Sequence, residues 1–264
     1  MKGRVLIIAG SDSGGGAGIQ ADIKTVTSLG GFAMTAITAL TAQNTEGVHG
    51  IYDVPPNFIK EQISVVLDDI GADVVKIGML HNTDVIATVS STLSDIAQEV
   101  PVVLDPVMVA KGGELLLEDT ALHALKTLLI PRATLLTPNV VEAEALTGRR
   151  IICTNDLILA GEDLIEMGSE TVLMKGGHID GSTVIDILIS TSSREVFKNI
   201  RINTRHTHGT GCTLASACAT GIAQGLSMSD AVKRGNDYVQ EAIRTAPGFG
   251  RGHGPLNHGY ATGG

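Results

Sequence analysis

The residues best placed for chemistry are His206-Thr207-His208-Gly209-Thr210-Gly211-Cys212-Thr213, which run into the small-residue stretch Leu214-Ala215-Ser216-Ala217-Cys218-Ala219. Gly209 and Gly211 allow backbone or ligand to come close, and the helix that follows aims its unpaired N–H groups and positive dipole end at the turn. Such a place suits a phosphate or a developing anion. A thiol there feels the same dipole, which predicts that Cys212 ionises below the usual thiol pKa of about 8.5. A glycine turn with a small buried cysteine accounts for these residues equally well, so the rest of the chain has to decide.

Other polar clusters at residues 10–18, 76–79, 105–111, 139–142 and 175–178 each follow an apolar run. Residues 5–9 are continuously apolar and end at Gly10, as a strand buried on both faces does. After the glycine loop 11–18, Ile19, Ile23 and Val26 fall at helical spacing and stop at Gly30-Gly31. The same alternation predicts strands at 32–40, 73–78, 101–105, 134–136 and 171–175. Helices are carried by Ile59, Ile63, Val66, Leu67 and Ile70; by Val85, Ile86, Val89, Leu93 and Ile96; by Leu122, Leu125, Leu128 and Leu129; from about Val140; and over 157–167. Residues 184–189 and 194–202 read as an antiparallel hairpin, and two last helices start at Cys212 or Thr213 and span 229–245. Repeated βα units imply an α/β fold: one doubly wound, mostly parallel sheet with helices on both faces and an antiparallel edge hairpin. Ligands of such sheets bind beyond the C-terminal ends of the strands, where the polar clusters fall.

The 264 residues can bury a sizeable core and are read as a single domain over 1–264, with a Gly-rich and partly mobile tail over 247–264. A net charge of -9 argues against a nucleic-acid partner, and 3% aromatics without Trp against stacked-base recognition. Cys153, Cys212 and Cys218 form neither a disulfide framework nor a CxxC zinc pair, and Cys153 and Cys218 are read as packed small hydrophobes. No apolar run approaches the length of a membrane span, so the reading is cytoplasmic with no membrane partner. His206 and His208 have no partners at a metal spacing and are read as loop histidines, with no permanent protein-ligated metal. The dinucleotide pattern GxGxxG is absent from Gly14-Gly15-Gly16-Ala17-Gly18, and no glycine precedes Lys24-Thr25 as a phosphate loop would require.

The late Gly-Thr-Gly turn, together with Asn139-Val140-Val141-Glu142 after a strand, resembles the ribokinase superfamily. Residues 9–22, Ala42-Gln43-Asn44-Thr45, Lys76-Ile77-Gly78-Met79-Leu80, Asp105-Pro106-Val107-Met108, Met174-Lys175-Gly176-Gly177-His178 and residues 206–213 together resemble the hydroxymethylpyrimidine/phosphomethylpyrimidine kinases of thiamin biosynthesis. The likeness runs from Ala9 to about His258. It implies an enzyme dependent on ATP and Mg2+ that phosphorylates 4-amino-5-hydroxymethyl-2-methylpyrimidine and then its monophosphate. It assigns Gly209, Thr210 and Gly211 to an anion hole, and Cys212 to the base position that aspartate holds in most related sugar kinases. It places Gln43 at the aminopyrimidine edge, where a primary amide matches donor and acceptor, with Gly10, Asp22, Met79 and Val107 around the ring. Asp105, Asn139, Glu142 and Lys175 fall on the side of the magnesium and the ATP phosphates, and Lys111-Gly112-Gly113 on a flap near them. It also implies a homodimer. A pyridoxine or pyridoxal kinase is the alternative, and a non-catalytic ligand-binding regulator on the same fold a further one.

Overall fold

The computed structural model describes residues 2–262 apart from 111, 112, 115 and 119. β1 (Arg4–Asp12) carries Val5, Leu6, Ile7 and Ile8, all fully buried, which is why its sequence lacks an apolar–polar alternation. α1 (Gly18–Ser28) returns the chain to β2 (Phe32–Gln43), parallel to β1. After β3 (Val48–Asp53) and α2 (Pro56–Asp69), β4 (Val74–Ile77) takes the other side of β1. The chain then continues outward through α3 (Thr83–Ile96), β5 (Val102–Leu104), α4 (Ala121–Ala124), β6 (Leu135–Leu136), α5 (Val140–Thr147), α6 (Thr154–Glu166) and β7 (Thr171–Lys175). β8 (Thr183–Ser190) and β9 (Arg194–Ile200) form an antiparallel hairpin on that edge, followed by α7 (Thr210–Ala223) and α8 (Met228–Arg244).

The sheet order is β3-β2-β1-β4-β5-β6-β7-β8-β9. Helices cover both faces. α1, α7 and α8 pack with Val5, Ile7, Val26, Leu214 and Val239 on one side, and α2, α3, α5 and α6 with Leu6, Ile8, Ile59, Val89 and Leu164 on the other. Alternate residues of β1 thus feed both cores. This is the doubly wound, mostly parallel sheet with an antiparallel edge hairpin that the patterning implies. Among the described residues no helix is long and apolar enough to cross a membrane.

Several local readings need correction. β3 was not foreseen because Val48-His49-Gly50-Ile51-Tyr52-Asp53 has no buried face; it pairs antiparallel with β2 as an exposed edge. The helix expected through Leu129 is α4 running into a π turn over 125–129 and a 3-10 turn over 130–132, which holds Pro131. Cys153 is exposed and sits at the start of α6, with its Sγ 3.2 Å from Asp156 Oδ2, so it is not a packed hydrophobe. Of the flap, Lys111 and Gly112 lie outside the described residues. Over residues 253–258 the tail is not loose. His253 N–H donates to Thr45 O at 2.7 Å, His208 pairs with Pro255, and Leu256 is buried. The Tyr238 hydroxyl donates to His258 O at 2.6 Å and Ser28 Oγ donates to the same oxygen at 2.8 Å. Burial holds the His258 imidazole pKa down at about 4, so the ring is neutral where it meets Thr213 Oγ1 at 2.9 Å.

Tyr238→Phe removes one of these anchors and is expected to cost about 1 kcal/mol in a denaturant titration. It should also raise the rate of proteolytic cleavage after residue 247; unchanged cleavage would show that the tail is held elsewhere.

Candidate active site

The strand order reverses direction beside β1, where β2 lies on one side and β4 on the other, and a cleft of about 810 Å³ opens at the C-terminal ends of these strands. Two ammonium groups, one fully and one largely buried, lie at its floor. Lys76, in β4, is fully buried with Nζ 3.0 and 2.9 Å from the two oxygens of Asp22, and Ser216 Oγ donates to Asp22 Oδ1 at 2.7 Å. Burial opposes the Lys76 charge, but Asp22, Cys212 and Asp105 outweigh it and raise its pKa. Burial likewise pushes the Asp22 carboxyl up against the pull of Lys76. Asp22 does not line the cleft, which corrects its assignment to the ring; its carboxylate is consumed by Lys76 and Ser216 below the floor.

Lys175 ends β7. Its Nζ lies 2.9 Å from Asp105 Oδ1 and 4.0 Å from Glu142 Oε2, and Thr137 Oγ1 donates to Asp105 Oδ1 at 3.0 Å. Burial opposes the Asp105 charge, yet Lys175 and Lys76 hold its pKa low. Glu142 is less well compensated: burial raises its carboxyl to about 7 against the attraction of Lys175. Asn139 and Glu142 cap α5 reciprocally, Glu142 N–H donating to Asn139 Oδ1 at 3.0 Å and Asn139 N–H to Glu142 Oε2 at 2.8 Å.

The Gly-Thr-Gly turn faces this pair. Gly209 has φ 83, and a Cβ on it would lie 1.9 Å from Gly16 O, so the two glycine turns pack back to back and admit no side chain between them. A Cβ on Gly211 would sit 3.2 Å from Lys175 Nζ, which puts the opening N–H groups of α7 beside that ammonium. The Thr210 hydroxyl donates to Thr207 O at 2.8 Å. Cys212 is half-buried and its thiol is pushed up to about 12: burial dominates, Lys76 pulls it down, and Asp22 and Asp105 push it further up. The expected dipole-lowered thiolate is thereby corrected, because desolvation and two nearby carboxylates outweigh the helix end.

The opposite wall is built on Asp12, whose carboxylate accepts from Gly14, Gly16 and Ala17 N–H at 2.7, 3.0 and 2.8 Å. His208 Nε2 adds a bond at 2.8 Å. Burial opposes ionisation of Asp12, and these donors overcome it and hold its pKa low. His208 lies in the loop before α7, as read from sequence, but it is buried and partnered there. Its Nε2 is 3.4 Å from the Gln43 amide, which is also 3.1 Å from Thr41 Oγ1. Met79 lies over Gly10, where a Cβ would be 3.0 Å from its sulfur. Gly10, Gln43, Met79, Val107, Asp105, Asn139, Glu142, Lys175, Gly209, Thr210, Gly211 and Cys212 all line the one cleft.

Sequence reasoning missed Lys76, Asp12, His208 and Asn236. Asp12 carries a signal, since an aspartate ahead of a glycine run closes such loops through its carboxylate; Lys76 and Asn236 sit in ordinary strand and helix patterns. Asn236 is buried, lines the cleft with Leu214, Val239 and Ile243, and its Nδ2 finds no partner among the described residues. No group of three or more His, Cys, Asp or Glu among the described residues is placed to hold a metal ion. The carboxylates of Asp105 and Glu142 offer oxygen ligands to a divalent cation that arrives with phosphate oxygens as its other ligands, while the Lys175 ammonium beside them suits the phosphates.

The phosphomethylpyrimidine kinase family model matches residues 12–257. A hydroxymethylpyrimidine/phosphomethylpyrimidine kinase of Bacillus subtilis is 47% identical over 97% of this chain and 94% of its own. The thiamine biosynthesis bifunctional protein ThiED of Geobacter sulfurreducens is 49% identical over 97% of this chain, which spans about half, 52%, of that longer protein. Among solved structures, a Bacillus subtilis pyridoxal kinase in complex with ADP superposes with a TM-score of 0.91 at 33% identity, covering 98% of both chains.

In a Cys153→Ser background, alkylation of Cys212 by iodoacetamide is expected to speed up about tenfold per pH unit from neutrality to beyond pH 10, because only the thiolate reacts. A plateau near pH 7 would mean that the thiol is already ionised.

Proposed function

The chain belongs to the phosphomethylpyrimidine kinase family, and on that premise we propose that it transfers the γ-phosphoryl group of ATP to an aminopyrimidine alcohol and then to the resulting monophosphate. The observation that carries this reading is the convergence of the Gly209–Gly211 N–H groups, Lys175 and Gln43 on one cleft. Transfer passes through a loose transition state, so positioning and charge stabilisation dominate. The α7 N–H groups and Lys175 take up charge on the transferring group, and Gln43 orients the pyrimidine so that its hydroxymethyl oxygen faces the phosphorus. Asp105, Asn139 and Glu142 would hold Mg2+, which would neutralise phosphate charge. The apolar end near Leu214 and Val239, with the free Asn236 donor, receives the nucleobase. The resting thiol holds its own proton, so Cys212 accepts the alcohol proton only in its minor thiolate form and contributes modestly. The reading extends to a single-domain, cytoplasmic homodimer, whose oligomeric state light scattering decides.

Pyridoxal phosphorylation is the second reading, favoured by the structural likeness to a pyridoxal kinase. An ATP-consumption screen over the pyrimidine alcohol, its monophosphate, pyridoxal and ribose separates the two. The pyrimidines are expected to be the fastest, and a monophosphate rate equal to the enzyme-free control would remove the second step. Gln43→Ala should depress pyrimidine turnover more than pyridoxal turnover; equal losses would undermine the assignment. Cys212→Ala should lower kcat by roughly tenfold to a hundredfold, whereas an unchanged kcat would take the proton-accepting role away from the thiol.

A further inference from the structure

The amide of Gln43 lies between two groups whose hydrogens are already committed. As placed, its Oε1 is 3.1 Å from Thr41 Oγ1 and its Nε2 is 3.4 Å from His208 Nε2. Oxygen and nitrogen of a primary amide exchange by a half-turn of the terminal torsion, so the surrounding hydrogens decide which faces which. Thr41 has a single hydroxyl hydrogen, and Ser11 O, 2.9 Å away, is a carbonyl that can only accept it. Toward Gln43, Thr41 Oγ1 is therefore an acceptor and requires an N–H. On the other side Asp12 Oδ2, a carboxylate oxygen, lies 2.8 Å from His208 Nε2, which makes that nitrogen a donor. An amide N–H facing it would set donor against donor, whereas a carbonyl oxygen shares its hydrogen. Both sides demand the same arrangement, with NH2 toward Thr41 and C=O toward His208.

The neighbours leave little freedom to change it. His208 is buried, its N–H donates to Gly254 O at 3.1 Å, and a Cβ on Gly16 would come within 2.4 Å of its ring. The backbone of Gln43 is clamped by Ser13, whose Oγ accepts from Gln43 N–H and donates to Gln43 O, both at 2.9 Å. We infer that Thr41 and His208 are positioning residues that fix the polarity of the Gln43 amide, and with it the donor–acceptor edge of the ring that the cleft accepts. The inference rests on the aminopyrimidine reading above. The carbonyl then receives the exocyclic amine on the His208 side, and the amide N–H meets the adjacent ring nitrogen on the Thr41 side. A 4-oxo pyrimidine, with N–H beside C=O, presents the reversed edge and meets donor with donor and acceptor with acceptor.

The test compares calorimetric binding and KM for the 4-amino alcohol and its 4-oxo counterpart in the wild-type protein, Thr41→Val and Thr41→Ser. Thr41→Val removes the acceptor and lets the amide turn. It should raise KM for the amino compound about tenfold, as loss of one oriented hydrogen bond does, with kcat within about twofold. It should also narrow the preference for amino over oxo by a similar factor, and Thr41→Ser should restore both. An unchanged preference in Thr41→Val, or equal impairment in both variants, would overturn the proposal. If the wild-type protein neither binds nor phosphorylates the pyrimidine alcohol, the functional reading falls, and the amide is then judged separately. The side-chain NH2 resonances of Gln43, assigned by their loss in Gln43→Ala, should shift on Thr41→Val if NH2 faces Thr41. If they do not move, the amide is turned the other way and the proposal fails.

Discussion

Two ammonium groups buried under the C-terminal edge of the sheet, each matched to a carboxylate that is itself hydrogen-bonded, are the constraint on which the rest of the cleft depends. Lys76 with Asp22 and Ser216, and Lys175 with Asp105 and Thr137, take charges out of water in an arrangement that tolerates no missing member. Such pairs add little net stability, but losing one partner leaves an uncompensated charge and costs about 3–5 kcal/mol. Their value here is geometric. A glycine stands against each ammonium: a Cβ on Gly78 would be 3.1 Å from Lys76 Nζ, and one on Gly211 would be 3.2 Å from Lys175 Nζ. With hydrogen in place of a side chain, the positive charge reaches the cleft while its stem stays in the core.

This arrangement also explains the state of the thiol. Cys212 lies within reach of the charges on Lys76, Asp22 and Asp105, and the two acids together with burial prevail over the lysine. A carboxylate at that position would add another buried anion to the cluster. A neutral thiol keeps the resting cluster closer to balance, leaving Lys175 and the start of α7 to meet the negative charge of incoming phosphates.

The periodicity that reveals an α/β sheet lies in the buried runs, and those were legible: Val5 to Ile8, the Val85–Val89–Leu93 stripe and the hairpin at β8 and β9 all sit close to where the sequence put them. Most of the lining was legible too, because glycines before helices and polar residues after strands mark strand ends. What stayed hidden depends on contacts between residues far apart in the chain. Asp22 reads as an ordinary helix residue until Lys76, 54 positions later, arrives beneath it. His208 reads as a loop residue until Asp12, 196 positions earlier, takes its ring nitrogen. The raised pKa of Cys212 comes from surroundings that no local dipole argument contains.

The return of residues 253–258 over the first glycine loop joins segments far apart in the chain at one wall. Gly254 O accepts from His208 N–H, and His208 in turn holds Asp12 and approaches Gln43. During synthesis β1 and its loop leave the ribosome long before Gly254 and Pro255. A growing chain can therefore lay down much of its sheet before it owns a finished binding wall.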